Sequence, residues 1–193
     1  MPKGLILASG SRYRRDLLAR LQVPFRVQTP DVDETPHPGE TPLQLVARLA
    51  RAKAAAVSAR SADEWIIGAD QVAVTNGRII GKPGGAAQAI TQLREASGQT
   101  VTFLTAVCLV HPRDAASEQH VDETRVRFRA LSDMEIERYV RLEQPFDCAG
   151  SFKSEALGIA LLDRIESADP TALIGLPLIW LSGALRRAGI SAL

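Results

Sequence analysis

A chain of 193 residues with 46% hydrophobic and 23% charged residues can bury a real core, which excludes a disordered protein and fits one domain or two tightly joined lobes. A formal net charge of +1 gives no global electrostatic case for a nucleic-acid binder, and aromatics at 5% are too few for a base-stacking surface. The charge is unevenly spread: residues 1–60 hold ten Lys/Arg (Lys3, Arg12, Arg14, Arg15, Arg20, Arg26, Arg48, Arg51, Lys53, Arg60) against five acids (Asp16, Asp31, Asp33, Glu34, Glu40). That third is therefore +5 and the remainder −4, so an anionic ligand would be drawn to it.

The run Leu5-Ile6-Leu7-Ala8 predicts a first strand over residues 4–8. Behind it, Ser9-Gly10-Ser11 reads as a small-residue turn into a helix that opens with Arg12-Tyr13-Arg14-Arg15 and carries Leu17, Leu18 and Leu21 on one face. Gly10 would let the turn take dihedrals closed to other residues, and the N–H groups of the helix start would face an anion; phosphate suits such a cradle best. Residues 29–42, rich in Pro, Asp and Glu, predict a functional loop or lid. Thr41-Pro42-Leu43-Gln44 then supplies an N-cap, a proline at the first helical position and a capping-box glutamine, for a helix whose apolar face is Leu43, Val46, Leu49, Ala50 and Val57. A strand is expected at 65–68, and a helix through Ala86, Ala89, Ile90 and Leu93 that stops near Ser97-Gly98. Strands follow at 101–110 and 124–129, the latter with Thr124, Val126 and Phe128 alternating with arginines in the half-buried pattern. Ser132-Asp133-Met134-Glu135 is a second capping box, opening a helix with Ile136, Tyr139 and Val140; a strand at 159–165 and a helix at 177–188 close the order. Strands alternating with helices predict an α/β fold, a mixed sheet flanked by helices.

The start MPKGLILASG has too short an apolar run for a signal peptide, and no stretch approaches the roughly 18 apolar residues of a membrane span, so a cytoplasmic protein is expected. Cys108 lies in an apolar run and Cys148 in a polar loop, which suggests two reduced thiols and no disulfide framework. His37, His111 and His120 lack metal-ligand spacing, and neither HExxH, G-x-S-x-G nor a Walker A motif is present; zinc, serine-hydrolase and P-loop chemistry are disfavoured.

Asp70 is the foremost catalytic candidate, because Gly68-Ala69-Asp70-Gln71 places a carboxylate just after the expected strand end, where α/β sheets present ligand sites. Its bland alternative is a turn or cap aspartate. Lys53 follows Val46, Leu49 and Ala50 on the helix's apolar stripe, so it must snorkel, pair with a carboxylate or reach into a site. Lys82, in Gly81-Lys82-Pro83-Gly84-Gly85, stands among residues that let a ligand approach the backbone, or is a solvated turn lysine. Asp31, Asp33 and Glu34, with Asp70, could hold a hard cation such as Mg²⁺ or Mn²⁺, or be solvated surface.

In order along the chain, LASGSRYRRDLL, VDE, the Lys53 helix, GADQ, GKP and CAGSFKSE resemble the Maf family of nucleoside triphosphate pyrophosphatases over nearly the whole length, 1–193 as a single domain. SGSRYRR, GADQV, CAGSFKSE and DPTALIGLPL are most similar to its 7-methyl-GTP pyrophosphatase branch. The resemblance implies a two-lobed, ITPase-like architecture with a cleft, cleavage of a nucleotide between its α and β phosphates, a divalent cation, a small-molecule nucleotide as substrate with no stable nucleic-acid or membrane partner, and a homodimer. It puts Asp70 on the catalytic carboxylate, which with Glu34 would meet the metal. Ser9, Arg14, Arg15, Glu34, Lys53 and Lys82 fall on the phosphate and metal pocket, and Tyr13, Gln71 and Glu155 on the positions that set base choice. Arg12 departs from the proline common at its place, which bears on the rigidity of the turn. Two other readings stay open on the sequence: a dTTP/UTP-type pyrophosphatase, and a non-catalytic nucleotide-binding regulator of cell division.

Overall fold

A computed structural model describes residues 4–58, 63–111, 114–191 and 193; Lys3 and Arg60, counted above among the basic residues, lie outside them. The strands are β1 (Gly4–Ala8), β2 (Arg26–Gln28), β3 (Glu64–Thr75), β4 (Arg78–Ile80), β5 (Thr100–His111), β6 (Asp114–Phe128) and β7 (Leu162–Glu166). The α-helices are α1 (Arg12–Ala19), α2 (Pro42–Ser58), α3 (Ala86–Ala96), α4 (Asp133–Glu143) and α5 (Leu178–Arg187). The strands form one sheet in the order β2-β1-β3-β5-β6-β7, with β4 added to β3, and the pairings are both parallel and antiparallel. The mixed α/β expectation holds.

The chain divides into two compact units, the first of residues 1–70, 105–122 and 169–193, the second of 71–104 and 123–168. In the first, β1 pairs in parallel with β2 and with β3 (Leu5 opposite Trp65, Ala8 opposite Gly68). Strand alternation sends Leu5, Leu7, Trp65, Ile67 and Ala69 into a core with Leu17 and Leu18 of α1 and Leu181, Ala184 and Leu185 of α5. Each buried leucine or isoleucine of this set contributes about 1.5 to 3 kcal/mol. The opposite face meets α2. A Cβ on Gly68 would lie 2.1 Å from the Ala50 carbonyl oxygen and 2.9 Å from Ala54, so only glycine permits this helix-to-strand approach. Cys108, on β5, donates from Sγ to the same Ala50 oxygen at 3.3 Å.

In the second unit, Asn76 and Gly77 are both left-handed (φ 48° and 74°) and turn β3 into β4 as a two-residue hairpin. Phe152 packs on Phe103 and Phe128, with ring centroids 6.2 and 5.4 Å away. The buried Gln92 of α3 donates to the Gly81 carbonyl at 3.2 Å and accepts from Ser151 Oγ at 2.5 Å. One amide thus joins the turn before Lys82 to the turn before Glu155.

Four local expectations are corrected. β3 does not end at Gly68 but runs to Thr75, because Gln71-Val72-Ala73-Val74-Thr75 keeps the alternation and finds a partner in β4. Residues 159–161 belong to a 3₁₀ turn (Leu157–Leu161), and only Leu162–Glu166 pair as a strand. Leu43 is 52% exposed, since at the second position of α2 it precedes the stripe that meets the sheet. Gly10 has no positive φ, and a Cβ there would make an ordinary 3.4 Å contact with Thr29, so the turn draws on no left-handed freedom at this point.

Both cysteines are free thiols. Burial pushes the Cys108 thiol up to about 11, so it stays protonated and shielded at neutral pH, whereas Cys148 is half-buried. A thiol reagent at pH 8 should therefore titrate one cysteine in the native protein and two in denaturant. Two fast-reacting native thiols would contradict this burial.

Candidate active site

The N-terminal turn is closed by its own serines. Ser11 is the N-cap of α1 and accepts from the Arg14 N–H at 3.4 Å, while Ser9 Oγ accepts from the Ser11 N–H at 3.1 Å. Ser9 is 3% exposed, so its hydroxyl is part of the interior of the turn. Arg14 reaches back from the first turn of α1: one terminal nitrogen is 3.5 Å from Ser9 Oγ, and Nε donates to the Gly175 carbonyl at 2.9 Å.

Behind this turn, α2 and β3 place a cation against a carboxylate. Because Gly68 brings α2 close, Lys53 on the helix and Asp70, two residues further along the same strand face, meet with Nζ to Oδ1 at 2.6 Å, each 7% exposed. The same Nζ lies 2.6 Å from Glu34 Oε1, whose side chain is 58% exposed. Of the three fates open to a lysine on an apolar stripe, the structure shows pairing, with two carboxylates. Asp70 stands inside β3 and not beyond its end, so the site opens on the face of the strand.

Glu34 arrives on the loop between β2 and α2. Arg48 of α2 holds Glu40 through two hydrogen bonds (2.6 and 2.8 Å) and donates to the Thr35 carbonyl at 3.1 Å, next to Glu34. The hydrogen bond from Arg48 holds the Glu40 carboxyl down to about 2. Asp33 closes the turn by accepting from the Thr35 N–H at 2.9 Å, and its pKa is lowered by the Thr35 side chain first and by this N–H second. Burial draws the Arg14 guanidinium below its usual value, while the fields of Asp70 and Glu34 favour its charge. Among the described residues Arg14 makes no ion pair, unlike Lys53, which has two.

The structure thus brings together Ser9, Arg14, Glu34, Lys53 and Asp70 within the first unit. Arg15 is turned to the surface, where its Nε meets Asp16 at 3.1 Å. Tyr13 is half-buried, with the Arg12 guanidinium 4.8 Å from its ring centre and donating to its hydroxyl at 2.8 Å. Gln71, Lys82 and Glu155 belong to the second unit; Lys82 and Glu155 are exposed. Asp31 is exposed, and no cluster of three or more His, Cys, Asp or Glu able to hold a metal occurs among the described residues.

A family model described as Maf-like protein matches residues 4–188. This chain belongs to the Maf family. Its relatives include a protein of Cupriavidus metallidurans, 54% identical over 185 residues (96% of this chain, 93% of the relative), and one of Nitrosococcus oceani, 50% identical over 192 residues (100% and 96%). A third, from Albidiferax ferrireducens, is 52% identical over 189 residues (98% and 95%). Each of the three is named 7-methyl-GTP pyrophosphatase. The solved Staphylococcus aureus Ham1 protein is similar over 65% of this chain and 72% of its own, at 17% identity and a TM-score of 0.48. In this Maf chain, Arg48, Glu40 and Gly175 support the site without a motif that marks them in the sequence. Glu40 eight residues before an arginine carries no local signal, because their pairing depends on how the loop returns to α2.

Proposed function

We propose that this chain is a nucleoside triphosphate pyrophosphatase that converts 7-methyl-GTP and water to 7-methyl-GMP and pyrophosphate. The observation that carries the reading is the Glu34–Lys53–Asp70 group beside Arg14 and Ser9, in a chain 50 to 54% identical to relatives so named. Cleavage of a phosphoanhydride needs neutralisation of a polyanion, a water in line with the leaving group, and a base for that water's proton. Arg14, which makes no ion pair among the described residues, and Lys53, shared between two carboxylates, supply the first; Arg15 and Lys82 are the further phosphate ligands that the resemblance to the family implies. Asp70 takes the proton of the attacking water, and Lys53 keeps that carboxylate oriented. The electron pair of the broken P–O bond leaves on pyrophosphate.

Two carboxylates meeting on a single cation suit a divalent ion such as Mg²⁺ or Mn²⁺, since an ion that arrives with a triphosphate needs only one or two protein carboxylates. Glu34 and Asp70 would hold it, and when bound it supplies charge neutralisation on the phosphate oxygens. Among the described residues no helix is long and apolar enough to cross a membrane. A soluble nucleotide as substrate makes the cytoplasm the proposed place of work.

Base choice falls to Tyr13, Gln71 and Glu155. N7-methylation makes guanine cationic, which favours stacking on an aromatic ring by about 0.5 to 2 kcal/mol. The Arg12 guanidinium already stands over Tyr13, so the ring accepts a cation. The methylated base would replace Arg12 or take the opposite face. Glu155 provides acceptors for the guanine N1–H and amino group.

The test is a nucleotide panel with Mg²⁺ or Mn²⁺ and identification of products. Expected are pyrophosphate, not orthophosphate, and faster cleavage of 7-methyl-GTP than of GTP, dTTP or UTP; faster cleavage of dTTP or UTP would overturn the branch. In the same panel Tyr13→Leu should lower the preference for 7-methyl-GTP over GTP by about 2- to 30-fold. An unchanged ratio would remove Tyr13 from base recognition.

A further inference from the structure

The segment DPTALIGLPL, residues 169–178, contributes no side chain assigned a role so far, yet it is densely hydrogen-bonded. Asp169 is 3% exposed. Its Oδ1 accepts from the Thr171 N–H at 2.8 Å and from Thr171 Oγ1 at 2.6 Å, and its Oδ2 accepts from the Ile179 N–H at 2.7 Å. Thr171 Oγ1 also accepts from the Leu178 N–H at 2.9 Å and lies 2.8 Å from the Leu176 carbonyl. The N-cap of α5, Pro177, has no side-chain bond to offer, so Asp169 and Thr171 satisfy the helix start from a distance. Two residues clamp both ends of one loop.

At the crest of that loop Gly175 has φ 129°, a conformation that L side chains rarely adopt, and its N–H is bonded back to the Ala172 carbonyl at 2.9 Å. The Gly175 carbonyl accepts from Arg14 Nε at 2.9 Å. A carbonyl contributes no full charge, so it fixes the direction of the guanidinium without neutralising it. One terminal nitrogen is left toward Ser9, with Asp70 and Glu34 near enough for their fields to act. A carboxylate in the same place would orient Arg14 equally well and cancel its attraction for an anion.

We infer that the 169–177 loop is a positioning device for Arg14: the Asp169–Thr171 clamp sets the Gly175 carbonyl, which aims a charged guanidinium, without an ion pair among the described residues, into the phosphate cradle. The inference rests on the proposed function only in taking Arg14 as a phosphate ligand. Asp169, Thr171 and Gly175 act through Arg14 and touch no substrate.

The experiment is calorimetric titration of the folded full chain with inorganic pyrophosphate at fixed Mg²⁺, for the parent, Gly175→Ala, Thr171→Val, Arg14→Gln and each loop variant combined with Arg14→Gln. Each single variant should weaken pyrophosphate by about tenfold, the scale of one charge-assisted hydrogen bond, and each double should be no weaker than Arg14→Gln alone. Loop variants that weaken binding as much without Arg14 as with it would overturn the inference, whereas a parent that binds pyrophosphate but cleaves no nucleotide would overturn the proposed function alone. Arg14→Gln with unaltered affinity overturns the inference through its premise. A measurement on the parent covers variants that fail to fold: the Arg14 Nε–H should exchange slowly with solvent by NMR. Fast exchange would remove the Gly175 bond and the inference with it.

Discussion

Asp70→Asn should lower turnover of 7-methyl-GTP by about 10² to 10⁴, the range that a positioned general base supplies. The substitution is close to isosteric, and the asparagine oxygen can still accept from Lys53 Nζ, which in the parent is 2.6 Å from Asp70 Oδ1. Shape and the Lys53 contact are therefore kept, while the negative charge and the capacity to take a proton are lost. Arg14, the proposed phosphate ligand, and Ser9 beside it are untouched, so KM should change less than the turnover number. The readout is steady-state kinetics with released pyrophosphate as product, on protein whose thermal transition matches the parent. Turnover within about tenfold of the parent, roughly 1.4 kcal/mol of barrier, would show that Asp70 is not the base.

Lys53→Met separates what the lysine does for the fold from what it does for the reaction. Methionine fills much of the same space on α2 but leaves the buried Asp70 carboxylate without its cation. Breaking a buried pair by removing one partner costs about 3 to 5 kcal/mol, mostly the penalty of the charge left behind. The single variant should lose that much in denaturant unfolding, together with nearly all activity. In the double variant Lys53→Met/Asp70→Asn the stranded charge is gone, so much of the stability should return while activity does not. If the double variant is no more stable than Lys53→Met, the pair does not carry the stability assigned to it. Glu34, being mostly exposed, should contribute little to either unfolding curve.

The sequence made the site's members legible because each stands in a locally odd setting. Lys53 interrupts an apolar stripe, Asp70 an apolar strand, and Arg14 follows a serine-rich turn after a strand. Periodicity also located the five helices, and both capping boxes form: Thr41 with Gln44, and Ser132 with Glu135. What escaped depends on returns of the chain from afar. A strand over residues 65–68 leaves Asp70 beyond its end, yet β3 continues to Thr75 because the Asn76-Gly77 hairpin returns the chain as β4 to pair with it. The Arg48–Glu40 pair and the Gly175 carbonyl under Arg14 have no local signature, since the partners are 8 and 161 positions apart. Arg15, equal to Arg14 in sequence terms, faces outward by helical rotation and meets its neighbour Asp16.

The absent side chain at position 68 reaches further than packing. With the Ala50 carbonyl where a methyl group would stand, α2 and β3 meet backbone to backbone, and the gap between the lysine and the aspartate is gauged by that contact. Any larger residue at 68 would act as a wedge, lifting the helix and carrying Lys53 off Asp70. Position 68 is therefore a spacer that sets the Lys53–Asp70 contact without touching it, and its tolerance to substitution would report how finely the proposed reaction depends on that gap.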